Sequence, residues 1–239
     1  MNQNDIWKIY SRQITISDII ENYYHPASFQ RELAFLINNI CSQYGYQKVI
    51  EVGCETGITS MLLRENLEKT FFDLDEEIIS KVRIACERIG QKGNFVVGDM
   101  FSMNFPDKSF DLVFNSGVIE HFGYKERVVL LKEYGRLLKD KGTLLLGFPN
   151  HYSFPYRSAY LLKKKLLFGF SWPWPKEYKI YDLKKELREA GLQLVNRQVI
   201  SKESVFEWWN FSGLLKKILK SADRIFKFEG YLTVVIIRK

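Results

Sequence analysis

Four carboxylates and two glycines in the first half of the chain have the types and spacing to hold a polar ligand. Gly53 and Gly57 bracket a turn, Gly53-x-x-x-Gly57, that follows the apolar run Lys48–Val52. Glycines there let the backbone pass close to a ligand. A helix that starts after the turn favours anions at its first N–H groups. Glu51 stands near the end of the apolar run, Asp73 ends the next one, and Asp99 follows the third in VVGDM. A carboxylate at Asp73 can accept from two ribose hydroxyls, and one at Asp99 from an adenine amino group, with Met100 packing on the ring. Glu120-His121 follow the fourth apolar run and offer an acid and a general base. The spacing is not the dinucleotide fingerprint G-x-G-x-x-G, although an acidic residue about 20 positions on fits either reading. A phosphate-cradling P-loop is excluded, because no Gly-Lys-Ser/Thr follows.

These residues do chemistry together only if strand ends are brought side by side. KVIEV (48–52), TFFDL (70–74), NFVV (94–97), DLVFN (111–115) and TLLLGF (143–148) read as strands, and so do LQLVNRQVI (192–200) and YLTVVIIR (231–238). Helical patterns lie between them. Asp75 reads as an N-cap with Glu76 and Glu77 in the first turn. Ile78, Ile79, Val82, Cys86 and Ile89 form the apolar face of that helix, and Gly90 stops it. A further helix is expected from about 124 to Gly142, and one over 182–191. Apolar strands alternating with helices predict an α/β fold, a mostly parallel sheet covered on both faces. Ligands in such sheets bind beyond the carboxyl ends of the strands.

With FPDKSFDLVFNSGVIEHF (105–122) and GRLLKDKGTLLLGFPN (135–150) in register behind the turn, the sequence resembles the class I S-adenosylmethionine-dependent methyltransferases. It looks most like the small-molecule branch that includes the ubiquinone- and menaquinone-type enzymes. The resemblance covers roughly residues 30–150 with the motifs in order, and the end strands more loosely. It implies a Rossmann-like sheet of seven strands, the last one antiparallel, with S-adenosylmethionine as cofactor. Glu51 would bind the methionine ammonium. Gly53, Cys54 and Gly57 would pass close to the methionine moiety. Asp73 would take the ribose, Leu74 would flank the adenine, and Asp99 and Met100 would hold it. Asn115 and Ser116 would line the cofactor from the fourth strand, and Glu120 and His121 would sit near the transferred methyl. Glu55 departs from the family, which usually has a small residue there. It faces solvent, makes a second ammonium contact, or weakens the site.

Asn115-Ser116-Gly117-Val118 is not the Asp/Asn-Pro-Pro-aromatic motif of enzymes that methylate planar exocyclic amines, and there is no Pro-Cys nucleophile. The expected reaction is methyl transfer to an oxygen or nitrogen of a small or lipid-like, anionic acceptor. His121 is the first choice of base or a packing residue, His25 and His151 are alternatives, and Tyr23 and Tyr24 would close the site.

The chain reads as one domain over 1–239: N-terminal helices (1–46), a cofactor-binding core (47–149), a lid insertion (150–181) and a C-terminal part (182–239) carrying a basic insertion (201–229). Residues 1–149 hold 17 Lys+Arg against 20 Asp+Glu, while 150–239 hold 18 against 8. The basic excess is thus confined to the last third, and it asks for a partner. In the lid, Trp172 and Trp174, with Trp208 and Trp209 further on, would build an apolar wall. Over 211–228, Leu214, Leu215, Ile218, Leu219, Ala222, Ile225 and Phe226 share one helical face, with Lys216, Lys217, Lys220, Arg224 and Lys227 largely on the other. This is the pattern of a helix lying on a membrane surface, or of one packed on its own domain. RNA is an alternative acceptor for the basic segment, and a non-catalytic scaffold an alternative to the enzyme. The N-terminus shows no signal-peptide pattern, and three cysteines of unpaired spacing argue for a reducing setting and against a zinc site. The expected location is cytoplasmic, with peripheral membrane contact.

Overall fold

The computed structural model describes residues 3–163 and 176–239. Three helices come first, α1 (Gln3–Gln13), α2 (Ile16–Tyr24) and α3 (Ser28–Tyr44). Then follow β1 (Lys48–Val52), α4 (Ile58–Met61), β2 (Glu68–Asp73), α5 (Glu76–Ile89), β3 (Asn94–Val97), β4 (Phe110–Ser116), α6 (Tyr124–Leu137) and β5 (Leu138–Pro149). The last third supplies α7 (Phe154–Leu162), α8 (Lys184–Glu189), β6 (Gln193–Ile200), α9 (Lys202–Glu207), α10 (Gly213–Phe226) and β7 (Leu232–Arg238).

The seven strands form one sheet in the order β3-β2-β1-β4-β5-β7-β6. All pairings are parallel except those of β7, which lies antiparallel between β5 and β6. This is the Rossmann-like architecture expected from the alternation of strands and helices. The chain leaves β1 towards β2 on one side and returns as β4 on the other, so the loops after β1 and β4 diverge and open a crevice between them.

Both faces are covered, which is why the centres of β1, β4 and β5 are rich in Val, Ile, Leu and Phe that do not alternate with exposed polar residues. α6 and α8 pack with Tyr134, Leu130, Leu137 and Leu187 on one face, and α3 with Leu33, Ile37 and Ile40 on the other. α5 lays Ile78, Ile79, Val82 and Cys86 against Phe71 of β2. Its caps are those expected: Asp75 Oδ1 accepts from the N–H of Glu77 (2.9 Å), and Gly90 closes the helix at φ +74°.

Two expectations are corrected. The helix after residue 124 stops at Leu137 rather than Gly142, because Leu138 is already extended (φ −72°, ψ 135°) and pairs with Phe110. A register shift between Phe110 and Leu112 absorbs the intervening Lys-Asp-Lys-Gly. The helix after Gly57 is a single turn, so it offers little dipole to a ligand. The proposed wall residues Trp172 and Trp174 lie outside the described residues.

Candidate active site

The turn at the end of β1 is held in place by its neighbour strand. The N–H groups of Gly53 and Cys54 both donate to the carbonyl of Phe72, at 2.8 and 3.1 Å, and Gly57 donates back to Cys54 (2.7 Å). Gly53 and Gly57 have φ of +71° and +66°, where a side chain is strained. A Cβ on Gly53 would stand 2.9 Å from Val118 Cγ2, so this glycine is also where the β1 and β4 loops approach each other. Cys54 is buried, and burial pushes its thiol well above the ordinary range, which makes it an inert filler.

Three carboxylates gather on this turn. Glu51 is buried and accepts from the N–H of Ser60 (3.2 Å); burial raises its pKa to about 7, against that hydrogen bond and helped by Asp73 and Glu55. Asp73 Oδ2 accepts from the N–H of Glu55 (3.0 Å) and its Oδ1 from that of Asp75 (3.1 Å). Burial nonetheless holds Asp73 above the usual carboxylate range. Glu55 adopts the left-handed conformation at φ +47° and is solvent-exposed. Crowding and the Asp73 charge raise it too, an effect that water at its exposed end moderates. Like charges so placed await a cation.

Beside them lie candidate adenine contacts. Leu74 is 46% exposed, Asp99 is exposed with Oδ1 accepting from the N–H of Phe101 (2.9 Å), and the methyl of Met100 is 3.6 Å from where a Cβ on Gly53 would be. The fourth-strand pair is divided. Asn115 is fully buried, its Nδ2 donating to Tyr134 Oη (3.1 Å), whereas Ser116 is half-buried at the strand's end.

Glu120 and His121 sit on a single 3-10 turn after β4. Glu120 is 2% exposed, its Oε2 has no hydrogen-bond partner among the described residues, and burial followed by the Glu177 charge raises its pKa to about 8. Burial lowers the pKa of His121, opposed by hydrogen bonds to the carbonyl of Lys176 and the backbone of Gly117. Its Nδ1 lies 2.8 Å from the Lys176 carbonyl, which only accepts, so Nδ1 carries the proton. The N–H of Tyr178 donates to the Glu120 carbonyl (2.8 Å), so this turn and the strand of chain 176–178 clasp each other.

Residues not singled out from the sequence complete the surroundings. Trp7 of α1 meets the His121 ring edge-on at 4.9 Å. Tyr23, by contrast, accepts from Gln91, where α5 leads into the start of β3, while Ile19 of α2 packs with Cys54 and Ile58 beneath the Gly turn. Glu177 Oε2 lies 3.1 Å from His151 Nε2 without the alignment of a hydrogen bond. Tyr156 packs against Tyr231 (4.9 Å) and Trp208 (5.0 Å), and both tyrosines are raised by burial with the Glu120 and Glu177 charges adding. Trp209 is buried, its Nε1 donating to the Pro155 carbonyl (2.8 Å). Two open clefts lie elsewhere, one under α8 and β6 and one at the amino ends of β1 to β4, away from these groups.

Residues 49–142, which contain the Gly-turn carboxylates and the Glu120–His121 turn, match the methyltransferase domain family. Over this segment the chain is similar to methyltransferase domains. A probable S-adenosylmethionine-dependent methyltransferase of Mycobacterium tuberculosis is 29% identical over 145 residues, 59% of this chain and 48% of the relative. A demethylmenaquinone methyltransferase of Thermotoga maritima is 33% identical over 103 residues, 42% of each chain. The chain therefore spans about half the length of the curated relatives it matches. Among solved structures, an S-adenosylmethionine-dependent methyltransferase of Clostridium acetobutylicum superposes with a TM-score of 0.60 over 90% of this chain and 93% of its own, at 13% identity, a likeness of fold. The Mycobacterium and Clostridium proteins are named for S-adenosylmethionine as their cofactor. The donor set suits it: carboxylates for an ammonium and a ribose diol, exposed Leu74 and half-buried Met100 for an adenine face, and glycine backbone where they converge.

Proposed function

We propose that the chain moves a methyl group from S-adenosylmethionine to an oxygen or nitrogen atom of a small or lipid-like acceptor. The observation that carries this reading is the convergence of Glu51, Glu55 and Asp73 on the Gly53–Gly57 turn at the β1/β4 crevice. Glu51 would hold the methionine ammonium, Asp73 the ribose, and Leu74, Asp99 and Met100 the adenine. Bound there, the cofactor supplies a methyl group on a sulfonium sulfur that departs as a thioether.

The acceptor side is assigned to the Glu120–His121 turn with Tyr156, Trp208 and Tyr231. Its aromatic lining supports an acceptor with an apolar ring or chain, and kinship in name with a quinone-ring enzyme points the same way. Glu120 is the proton acceptor in this reading. Its Oε2 has no hydrogen-bond partner among the described residues, and a carboxyl with a pKa of about 8 titrates where a general base is useful. An acceptor O–H or N–H would pass its proton to that oxygen. His121 holds residues 176–178 over the turn and fixes where the acceptor is bound. Aromatic packing around the turn excludes water from the transfer.

Calorimetric titration with S-adenosylmethionine and S-adenosylhomocysteine tests the reading. Micromolar binding of both is expected. Absence of binding by either removes the cofactor site and the reaction with it.

A further inference from the structure

Helix α10 is amphipathic and mounted with its apolar side to solvent. None of its 14 residues is buried. Leu214, Ile218, Ile225 and Phe226 are 71, 53, 78 and 69% exposed. An amphipathic helix that merely packs on its own domain would turn this face inward.

The polar side is what fastens it. Lys216 Nζ donates to Asn210 Oδ1 (2.7 Å), Lys220 pairs with Glu203 (2.6 Å), and Lys202 of α9 pairs with Asp223 (2.9 Å). The Lys220 ammonium also lies over the Phe206 ring at 5.4 Å. α9 is itself anchored: Ser204 Oγ lies 2.7 Å from Ser28 Oγ of α3, inside a buried hydroxyl cluster with Ser201. The outward apolar face is therefore built on a fixed platform.

That face continues towards the candidate site. Phe226 stacks on Phe228 at 6.0 Å, and Phe228 meets Phe154 at 6.1 Å. Phe154 is 64% exposed and opens α7, the helix that carries Tyr156. Around the apolar centre, Lys217, Arg224 and Lys227 are exposed and make no ion pair among the described residues.

We propose that α10 docks the protein on the surface of an anionic lipid bilayer. Leu214, Ile218, Ile225 and Phe226 enter the acyl boundary, and Lys217, Arg224 and Lys227 meet the headgroups. An apolar stripe with a cationic rim is what such an interface takes up. A nucleic acid would satisfy the cations but leave Leu and Ile side chains without bases to stack on. A second copy of the helix would bring two cationic rims together. The helix lies on the surface rather than crossing it: among the described residues no helix is long and apolar enough to span a membrane. The inference does not depend on methyl transfer.

The test is flotation of the full chain with vesicles of phosphatidylglycerol and phosphatidylcholine, against phosphatidylcholine alone, at low and high salt and without cofactor. Binding to the anionic vesicles is expected, at least tenfold weaker on phosphatidylcholine or at high salt. Ile218→Glu with Ile225→Glu should lose at least tenfold while circular dichroism and melting temperature stay unchanged, since both side chains face solvent. Lys217→Glu with Arg224→Glu should lose the preference for anionic vesicles. No flotation of the intact protein at low salt overturns the proposal, as does flotation indifferent to Ile218→Glu with Ile225→Glu. Self-association abolished by those two substitutions, with no flotation, also overturns it and assigns the face to a second copy.

Discussion

The backbone N–H of Glu55 donates to the Asp73 carboxylate over 3.0 Å, while the Glu55 side chain adds a second negative charge beside the one its own backbone is binding. The contact fixes the turn in a left-handed conformation, φ +47°, that a non-glycine residue adopts at a cost of roughly 1 kcal/mol. A residue that is both strained and repelled is stabilised by a cation bound beside it.

Glu55→Gly should therefore make the free protein more stable and the site less selective. Relief of strain and repulsion, less the added freedom of the unfolded glycine, leaves about 0.5–1 kcal/mol, or roughly 2 °C in melting temperature. The cationic S-adenosylmethionine should lose more affinity than S-adenosylhomocysteine, which lacks the sulfonium charge. Differential scanning calorimetry and paired titrations measure the two effects. An unchanged affinity ratio would show that the carboxylate faces only solvent.

Asp73→Ala removes the acceptor of two backbone N–H groups, those of Glu55 and Asp75, as well as the proposed ribose contact. Loss of at least tenfold in S-adenosylmethionine affinity is expected, about 1.4 kcal/mol or more. Asp73→Asn keeps one oxygen for the turn and separates the two roles. If it folds like the parent yet binds as poorly as Asp73→Ala, the carboxylate acts on the ligand. If it binds like the parent, the ribose is placed wrongly.

Two left-handed glycines give a differential test of packing. A Cβ on Gly57 (φ +66°) would stand 2.7 Å from the Phe71 ring, whereas one on Gly45 (φ +68°) meets nothing within 4 Å. Gly45→Ala should cost only the conformational term, roughly 1 kcal/mol. Gly57→Ala adds a clash with a fully buried ring and should cost roughly 2–4 kcal/mol. Urea unfolding midpoints compare them, and equal losses would mean that Phe71 yields freely.

Much of this molecule is written in short-range patterns. The strand KVIEV and helix α5 with its Asp75 and Gly90 caps are local in origin, and their limits are plain in the sequence. The strands and the acids at their ends follow from the alternation of strands and helices, whereas the insertion of β7 between β5 and β6 was not read from the sequence. The end of α6 was not legible, because Leu138 is claimed by pairing with Phe110, 28 positions earlier in the chain. The acceptor side was less so. Trp7, Glu177 and Tyr231 come from three distant segments, and only tertiary packing brings them to Glu120 and His121. The outward mounting of α10 is likewise invisible in its periodicity, which gives the two faces but not which one the domain grips.

Glu120 links stability and activity through one proton. Its folded pKa is about 8 against an ordinary 4.5, so between those values the native protein keeps a proton that the unfolded chain has released. Stability then falls as pH rises through that window, and the penalty is fully present above pH 8. Glu51, at about 7, adds to the same trend. Stability should drop between pH 5.5 and 8.5 by on the order of a few kcal/mol, read as a falling melting temperature. Glu120→Gln should flatten most of that slope, stabilising the protein at pH 8.5 and changing it little at pH 5.5. If Glu120 takes the acceptor's proton, the methyl-transfer rate of the parent should climb with pH up to about 8, because only the carboxylate accepts. The Glu120→Gln variant should lose roughly 10²–10⁴-fold and show no such limb. A variant that regains stability at pH 8.5 while keeping the parent's rate profile would leave Glu120 a buried structural acid and move the proton to another group.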